Sequence, residues 1–220
     1  MVLTHKAPAP HCPLCGHAGT AYTLRSVHGR PLAHCSVCDL VFANPEVAVD
    51  AAEERRLYQT HQNSIEQPGY IDFLNRLVEP MAMFVQAGAQ GVDYGSGPGP
   101  TLSTLMQRRG YGCHDYDPMF GPHELAPPYD FITCTECFEH FTSPAKTIQH
   151  IVSLLKPQGV LGIMTDLWNR DTVFETWYYT KDPTHVVFYS LATIDYLCSR
   201  FGLALLYSDA KRVLVFRTMK

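Results

Sequence analysis

From Gly91 onward, short unbroken apolar runs alternate with stretches whose apolar residues recur every three or four positions. Gly91–Tyr94, Tyr111–Asp117, Tyr129–Cys134 and Gly159–Thr165 read as buried strands, while Thr101–Arg109 and Ser143–Leu155 read as helices. In the second helix Ser143 takes the N-cap position and Pro144 the first turn. Strand and helix in alternation predict an α/β fold, a doubly wound, mostly parallel sheet with helices on both faces. Ser190 then starts a helix that Gly202 ends, and Leu203–Ser208 with Lys211–Thr218 predicts a closing antiparallel hairpin.

The preceding stretch has a different pattern. Glu46–Tyr58 is rich in Ala and Glu, and Ile71, Leu74, Leu77, Val78, Met81, Phe84 and Val85 follow helical spacing around an expected kink at Pro80. A polar loop with aromatic residues lies between them. Its Tyr58, His61, Asn63 and Tyr70 either close over a ligand of the following domain or form a surface linker.

Before Asn44-Pro45 there are too few large apolar residues for a core, but there are cysteines at metal-binding spacing. Cys12-Pro-Leu-Cys15 and Cys35-Ser-Val-Cys38 are two knuckles, joined by a segment that reads as a hairpin turning at Gly29. Each knuckle presents two sulfurs to one zinc, and four thiolates leave no position for substrate, so the expected role is structural. Free buried thiols or a redox pair are the alternatives, and His11, His17 or His34 could each replace one thiolate. Cys113, Cys134, Cys137 and Cys198 read as small buried hydrophobes. The expected organisation is thus a zinc ribbon over residues 1–45, a helical linker or lid over 46–90, and an α/β domain over 91–220.

The 220 residues are 46% hydrophobic and 17% charged, and 17 basic against 21 acidic side chains leave a formal charge of −4. Without a basic cluster, nucleic acid is disfavoured as a partner. The N-terminus has no apolar run of the signal-peptide kind and no later run reaches membrane-spanning length, so the expected setting is the cytoplasm without membrane association.

The chemistry centres on Asp93-Tyr-Gly95-Ser96-Gly97-Pro-Gly99, which falls where the first parallel strand turns into the first helix. Doubly wound sheets bind ligands at such turns. A dinucleotide fingerprint would need glycine where Pro100 stands, which disfavours a nucleotide-dependent oxidoreductase. The next strand ends in Asp115-Tyr-Asp117-Pro, about twenty residues on, where an acid can accept both ribose hydroxyls or simply cap the turn. Tyr129–Pro144 and Leu154-Leu-Lys-Pro-Gln-Gly159 complete an ordered set over Gly91–Thr165. These motifs resemble the class I S-adenosylmethionine-dependent methyltransferases, with a Rossmann-like core similar to the ubiquinone-pathway O-methyltransferases. The resemblance implies cofactor contacts at Asp93, Gly95, Ser96, Gly97, Gly99, Asp117, Met119 and Thr135. One departure stands out: only about a dozen residues separate Asp117 from Asp130, too few for the usual third strand and helix. Met119 and Phe120 would then cover the adenine by packing.

Glu136-x-x-Glu139-His140 ends the fourth candidate segment, and Asp182-Pro-Thr-His185 follows downstream. The set resembles the metal site of small-RNA 2′-O-methyltransferases and of ubiquinone-pathway enzymes. That resemblance implies magnesium or another divalent cation held by Glu136, Glu139, His140 and His185, with His140, His185 and Glu139 as candidate catalytic groups. The alternative is that Glu139 and His140 cap a helix and order a loop. Asp166–Ser190 carries both tryptophans in a long connection and forms either an acceptor pocket or a packed lid. The expected function is methyl transfer from S-adenosylmethionine to a small hydroxylated molecule. A non-catalytic cofactor-binding or ribbon-docking module, and an RNA methyltransferase, are the other readings.

Overall fold

A computed structural model describes residues 10–44, 49, 51–59, 64–99, 101–121 and 124–219. His61, Asn63 and Pro100 lie outside these. The main sheet holds six strands: β4 (Gln90–Tyr94), β5 (Gly112–Tyr116), β6 (Tyr129–Thr135), β7 (Leu155–Met164), β9 (Leu203–Ser208) and β10 (Val213–Thr218). Their order is β5-β4-β6-β7-β10-β9. The first four are parallel, and β10 runs antiparallel to both its neighbours as the closing hairpin requires.

Successive residues of a strand face opposite sides, so the sheet's two faces draw on alternate positions. Phe131, Val160 and Val215 meet α2 (Pro68–Ala82) and α3 (Thr101–Arg108) through Leu74, Leu77, Met81, Leu105 and Met106. Ile132, Leu161, Leu214 and Phe216 meet α4 (Pro144–Ser153) and α5 (Leu191–Phe201) through Ile148, Ile151, Ile194 and Leu197. Each such side chain contributes about 1.5–3 kcal/mol by leaving water. Ser190 and Thr193 form a capping box on α5, and Gly202 closes it in the left-handed conformation. α2 ends two residues after Pro80, and Phe84 and Val85 sit in the turn that follows, both bonded to the Met81 carbonyl. Between β5 and β6 no strand or helix occurs among the described residues, which leaves β5 at the sheet edge.

The ribbon does not stand apart. Its strands β1 (Tyr22–Arg25), β2 (Pro31–His34) and β3 (Val41–Ala43) form an antiparallel sheet around the expected turn at Gly29, and a fourth strand, β8 (Val187–Phe188), joins it from the far side of the chain. Cys12, Leu14, Leu40 and Phe42 pack in the same cluster as Ile132, Phe138 and Leu197, while Leu32 and Val41 pack with Trp168, Phe174 and Phe188. A short helix, α1 (Ala51–Gln59), precedes α2 and places Tyr58 above the carboxyl ends of the parallel strands. No helix among the described residues is long and apolar enough to cross a membrane.

Candidate functional site

The carboxyl ends of β4, β5 and β6 open into a cavity of about 800 Å³, within the size range of small-molecule sites. On one side lies the glycine loop. Gly95 and Gly97 adopt φ of +81° and +65°, a left-handed conformation that strains any residue with a Cβ. A Cβ at Gly95 would also strike Cys137 at 2.8 Å, whereas one at Gly97 would meet no protein atom within 4 Å and would project into open space. The loop is tied to β5: Gly95 N–H donates to the Tyr116 carbonyl at 2.8 Å and Gly97 N–H to Asp117 Oδ2 at 2.9 Å. Asp117 Oδ1 accepts from the amides of Met119 and Phe120 at 2.7 and 3.2 Å. The acid therefore does cap the turn, and it also lines the cavity.

Ser96, Asp117, Met119 and Thr135 line this cavity together with Gly95 and Gly97. Asp93 and Gly99 are not among its lining residues. Asp93 is buried behind the loop, where Thr133 Oγ1 donates to it at 2.8 Å and burial pushes its carboxyl up to about 7. Phe120, Tyr58 and Tyr70 also line the cavity.

Across the cavity His140 and His185 form part of the wall, with Glu139 buried behind it, and the three bring one ligand atom each within 4.8 Å of the others. The Glu139 side chain is fully buried, and its two oxygens accept hydroxyl protons from Tyr179 at 2.6 Å and Thr165 at 2.8 Å. His140 Nδ1 lies 3.1 Å from the Thr184 carbonyl and His185 Nδ1 lies 2.8 Å from the Tyr179 carbonyl. A carbonyl can only accept, so both Nδ1 atoms carry a proton and each ring turns its Nε2 toward Glu139. Both Nε2 atoms lie 4.0 Å from Glu139 Oε1. Burial holds His140 down at about 4, which keeps it neutral. Two ring nitrogens thus face a carboxylate oxygen that also accepts from the Tyr179 hydroxyl.

Glu136 stands outside this cluster. Its backbone at φ +50° turns the carboxylate toward Arg212, whose Nη1 donates to Oε1 at 2.9 Å. Arg212 Nη2 also holds Asp166 at 2.7 Å and the Tyr178 hydroxyl at 2.6 Å. The long aromatic connection divides. Trp168, Phe174 and Trp177 pack against the ribbon strands, while Tyr178, Tyr179, Lys181, Asp182 and His185 line the cavity. Nothing in the sequence singles out Arg212, which belongs to the closing hairpin, or picks Tyr179 from the other aromatic residues of Asp166–Ser190.

At the ribbon the four cysteines converge. Cys12 and Cys38 sulfurs are 3.5 Å apart and those of Cys15 and Cys35 3.4 Å, with all four within 4.8 Å. None is in a disulfide. Sulfurs about 2.3 Å from a tetrahedral zinc would be separated by about 3.8 Å. The Cys38 thiol bonded to Cys12 holds Cys12 down at about 5, while the same contact pushes Cys38 far up. A cation at the centre would allow all four to ionise. His17 contributes only its backbone N–H, 3.4 Å from Cys15 Sγ, and His34 is engaged with Asp39 at 2.7 Å.

A family model described as a methyltransferase domain matches residues 58–208, more than half of the chain. The chain belongs to this methyltransferase family. Its fold is shared by a candidate sarcosine dimethylglycine methyltransferase from Galdieria sulphuraria, 16% identical with a TM-score of 0.53, over 76% of this chain and 99% of that one. A chain from the complex between the Haloferax volcanii Trm112 methyltransferase activator and a candidate methyltransferase is 14% identical with a TM-score of 0.55, covering 76% and 98%. No curated protein matches the sequence. With family and fold together, this is a class I S-adenosylmethionine-dependent methyltransferase.

The cavity fits the cofactor of that family on two counts. Thr135 Oγ1 at the end of β6 is buried with no hydrogen-bond partner among the described residues and belongs to the cavity wall, as an atom awaiting a ligand would be. The space beside Gly97 is one that a methyl group would fill. The methyltransferase match starts at Tyr58, after the ribbon.

Proposed function

We propose that the protein methylates a hydroxyl group of a small molecule, with Glu139, His140 and His185 holding a divalent cation beside the acceptor. When bound, S-adenosylmethionine supplies a methyl group on a sulfonium already prepared to leave. The chain's own task is therefore to align the two reactants, exclude water and take up one proton. In this reading the backbone of Gly95–Gly97 and Ser96 beds the methionine part, and Asp117 accepts from the ribose hydroxyls while keeping its bonds to the loop. Met119 and Phe120 cover the base, Thr135 donates its free hydroxyl, and Tyr58 and Tyr70 border the reacting end.

The observation that carries the proposal is the convergence of two imidazole Nε2 atoms, on side chains that line the same cavity as the glycine loop, on the carboxylate of Glu139 buried behind them. Ligand atoms about 2.1 Å from a common ion lie about 3.0–3.4 Å apart, so a modest inward movement from 4.0 Å completes the shell. Such a cation lowers the pKa of a bound hydroxyl and draws it to a fixed place. Two imidazoles with one carboxylate suit zinc, manganese or iron better than magnesium. The Nδ1 bonds to carbonyls of Thr184 and Tyr179 aim the rings, as outer partners of metal-bound histidines do. The wall supports a cationic occupant too: Glu54, Asp117, Glu136 and Asp182 line it against Lys181 as the lining cation. The four sulfurs of the ribbon hold a separate, structural zinc. The size of the cavity and the net charge of −4 favour a small acceptor over nucleic acid.

The test is transfer of labelled methyl groups from S-adenosylmethionine to a panel of hydroxylated small molecules, before and after mild chelation that leaves the ribbon zinc in place. Transfer that stops on chelation and returns with manganese or zinc supports the proposal. Transfer at an unchanged rate without the second cation would remove the metal from it.

A further inference from the structure

We propose that Arg30, at the tip of the ribbon hairpin, is a positioning residue that aims His185, which makes the ribbon a working part of the site. The inference rests on the reading of His185 as a site residue. The Arg30 guanidinium donates from Nη1 to the Pro183 carbonyl and from Nη2 to the His185 carbonyl, each at 2.6 Å. A planar fork reaching two carbonyls of one turn fixes orientation as well as distance, which a lysine's single ammonium cannot do. The hairpin presents this side chain because its turn is closed three times: Ser26 N–H to the Arg30 carbonyl, Gly29 N–H to the Ser26 carbonyl, and Arg30 N–H to Ser26 Oγ.

The segment so held, from Tyr179 to Phe188, lies between the ribbon and the turn that carries Glu139 and His140. From the ribbon side it also receives Val27 N–H on Thr180 Oγ1 at 3.0 Å, Ala43 N–H on the Val186 carbonyl at 2.8 Å, and the β3–β8 pairing. On the other side Val186 N–H donates to the Glu139 carbonyl at 2.8 Å, and the Thr184 carbonyl accepts from His140. Among the described residues the His185 ring is hydrogen-bonded to the Tyr179 carbonyl, and its Nε2 lies 3.9 Å from Asp182 Oδ2, both partners being in the same segment. The direction of its Nε2 is therefore set by the shape of the 179–185 turn, and Arg30 is the side chain that spans the carbonyls at the turn's end.

The experiment uses full-length protein with its ribbon zinc loaded, in two measurements. Nitrogen NMR of the imidazoles reads which ring nitrogen of His185 carries the proton, and cobalt(II) titration reads affinity at the Glu139 site by its visible absorption, free of thiolate bands. Wild type should show His185 locked with the proton on Nδ1. Arg30→Ala should populate both tautomers and weaken cobalt binding by about tenfold or more, with ribbon zinc content and S-adenosylhomocysteine affinity within about twofold of wild type. Arg30→Lys should fall between, and added guanidinium ion should restore Arg30→Ala toward wild type. A wild-type tautomer signal with wild-type cobalt affinity in Arg30→Ala overturns the inference. Should Arg30→Ala not fold, Arg30→Lys decides in the same terms. If wild type takes up no cobalt at the second site yet Arg30→Ala still frees the His185 tautomer, the cation reading falls and the positioning role stands.

Discussion

The Gly97 amide is bonded to the carboxylate of Asp117 at 2.9 Å, so the loop at the end of one parallel strand is fastened to the end of its neighbour. The same acid holds the turn through Met119 and Phe120. With the cofactor seated as proposed, its binding and the shape of its bed both depend on one side chain. Asp117→Ala should weaken S-adenosylhomocysteine by about 1.5–3 kcal/mol, through the lost charged acceptor. Gly97→Ala should lower folding stability by about 1–2 kcal/mol through its left-handed φ, and should impair binding well beyond that, because the new methyl points into the cavity. Calorimetric titration of both variants decides: unchanged affinity in either would move the binding site elsewhere.

Two glutamates that stand three residues apart should behave differently. Glu139→Gln and His185→Ala should abolish uptake of a second divalent cation, measured by equilibrium dialysis of zinc-loaded protein. Glu136→Gln should retain uptake within about tenfold, since Glu136 is engaged with Arg212. Equal loss in all three variants would return Glu136 to the cluster.

Removal of the zinc proposed at the four cysteines should be felt throughout the chain. Cys12 and Cys38 share a cluster with Ile132 and Leu197, and β3 is paired to β8. Cys38→Ser should therefore release zinc and lower the melting temperature of the whole protein in a single transition, losing several kcal/mol. Two separate transitions in calorimetry, with the second at the wild-type temperature, would show an independent ribbon.

Asp93 makes stability depend on pH in an unusual direction. In the unfolded chain its carboxyl titrates near 3.8, and in the folded protein burial raises it to about 7. Between those values the folded state binds the extra proton, so stability should fall as pH rises from about 4 to 7 and the full cost remains above 7. Asp93→Asn should flatten this dependence and stabilise the protein at pH 8 by about 2–4 kcal/mol. Urea denaturation at pH 5 and pH 8 checks it; a variant less stable than wild type at pH 8 would assign the charged form a favourable role.

The strands and helices after Gly91 were legible because each is long enough for its period to show, and Gly95 and Gly97 mark a turn whose backbone takes the left-handed conformation. The four cysteines were legible from spacing alone. What escaped was whatever depends on meetings between distant segments. β8 is two residues inside an irregular connection and has no period of its own. Arg30 reads as one more hairpin residue until Pro183 and His185 are seen beneath it. Glu136 has the same spacing from Glu139 as a ligand on one helical face, but its positive φ sends the carboxylate to Arg212. Asp93 belongs to the motif, yet in a parallel strand its position in the alternation directs it to Thr133 in the interior.

The pairing of β3 with β8 also imposes an order on synthesis. The cysteine knuckles leave the ribosome before β8 and on the proposed reading can take up zinc at once, but their sheet stays one strand short until Phe188 has been made. By then β4 to β7 are complete and can dock, so the ribbon closes on a sheet already assembled and, in closing, sets the segment that carries His185. A nascent chain would on this account bind metal early and become able to hold its acceptor late, and the edge of β3 would need protection from other strands during the interval.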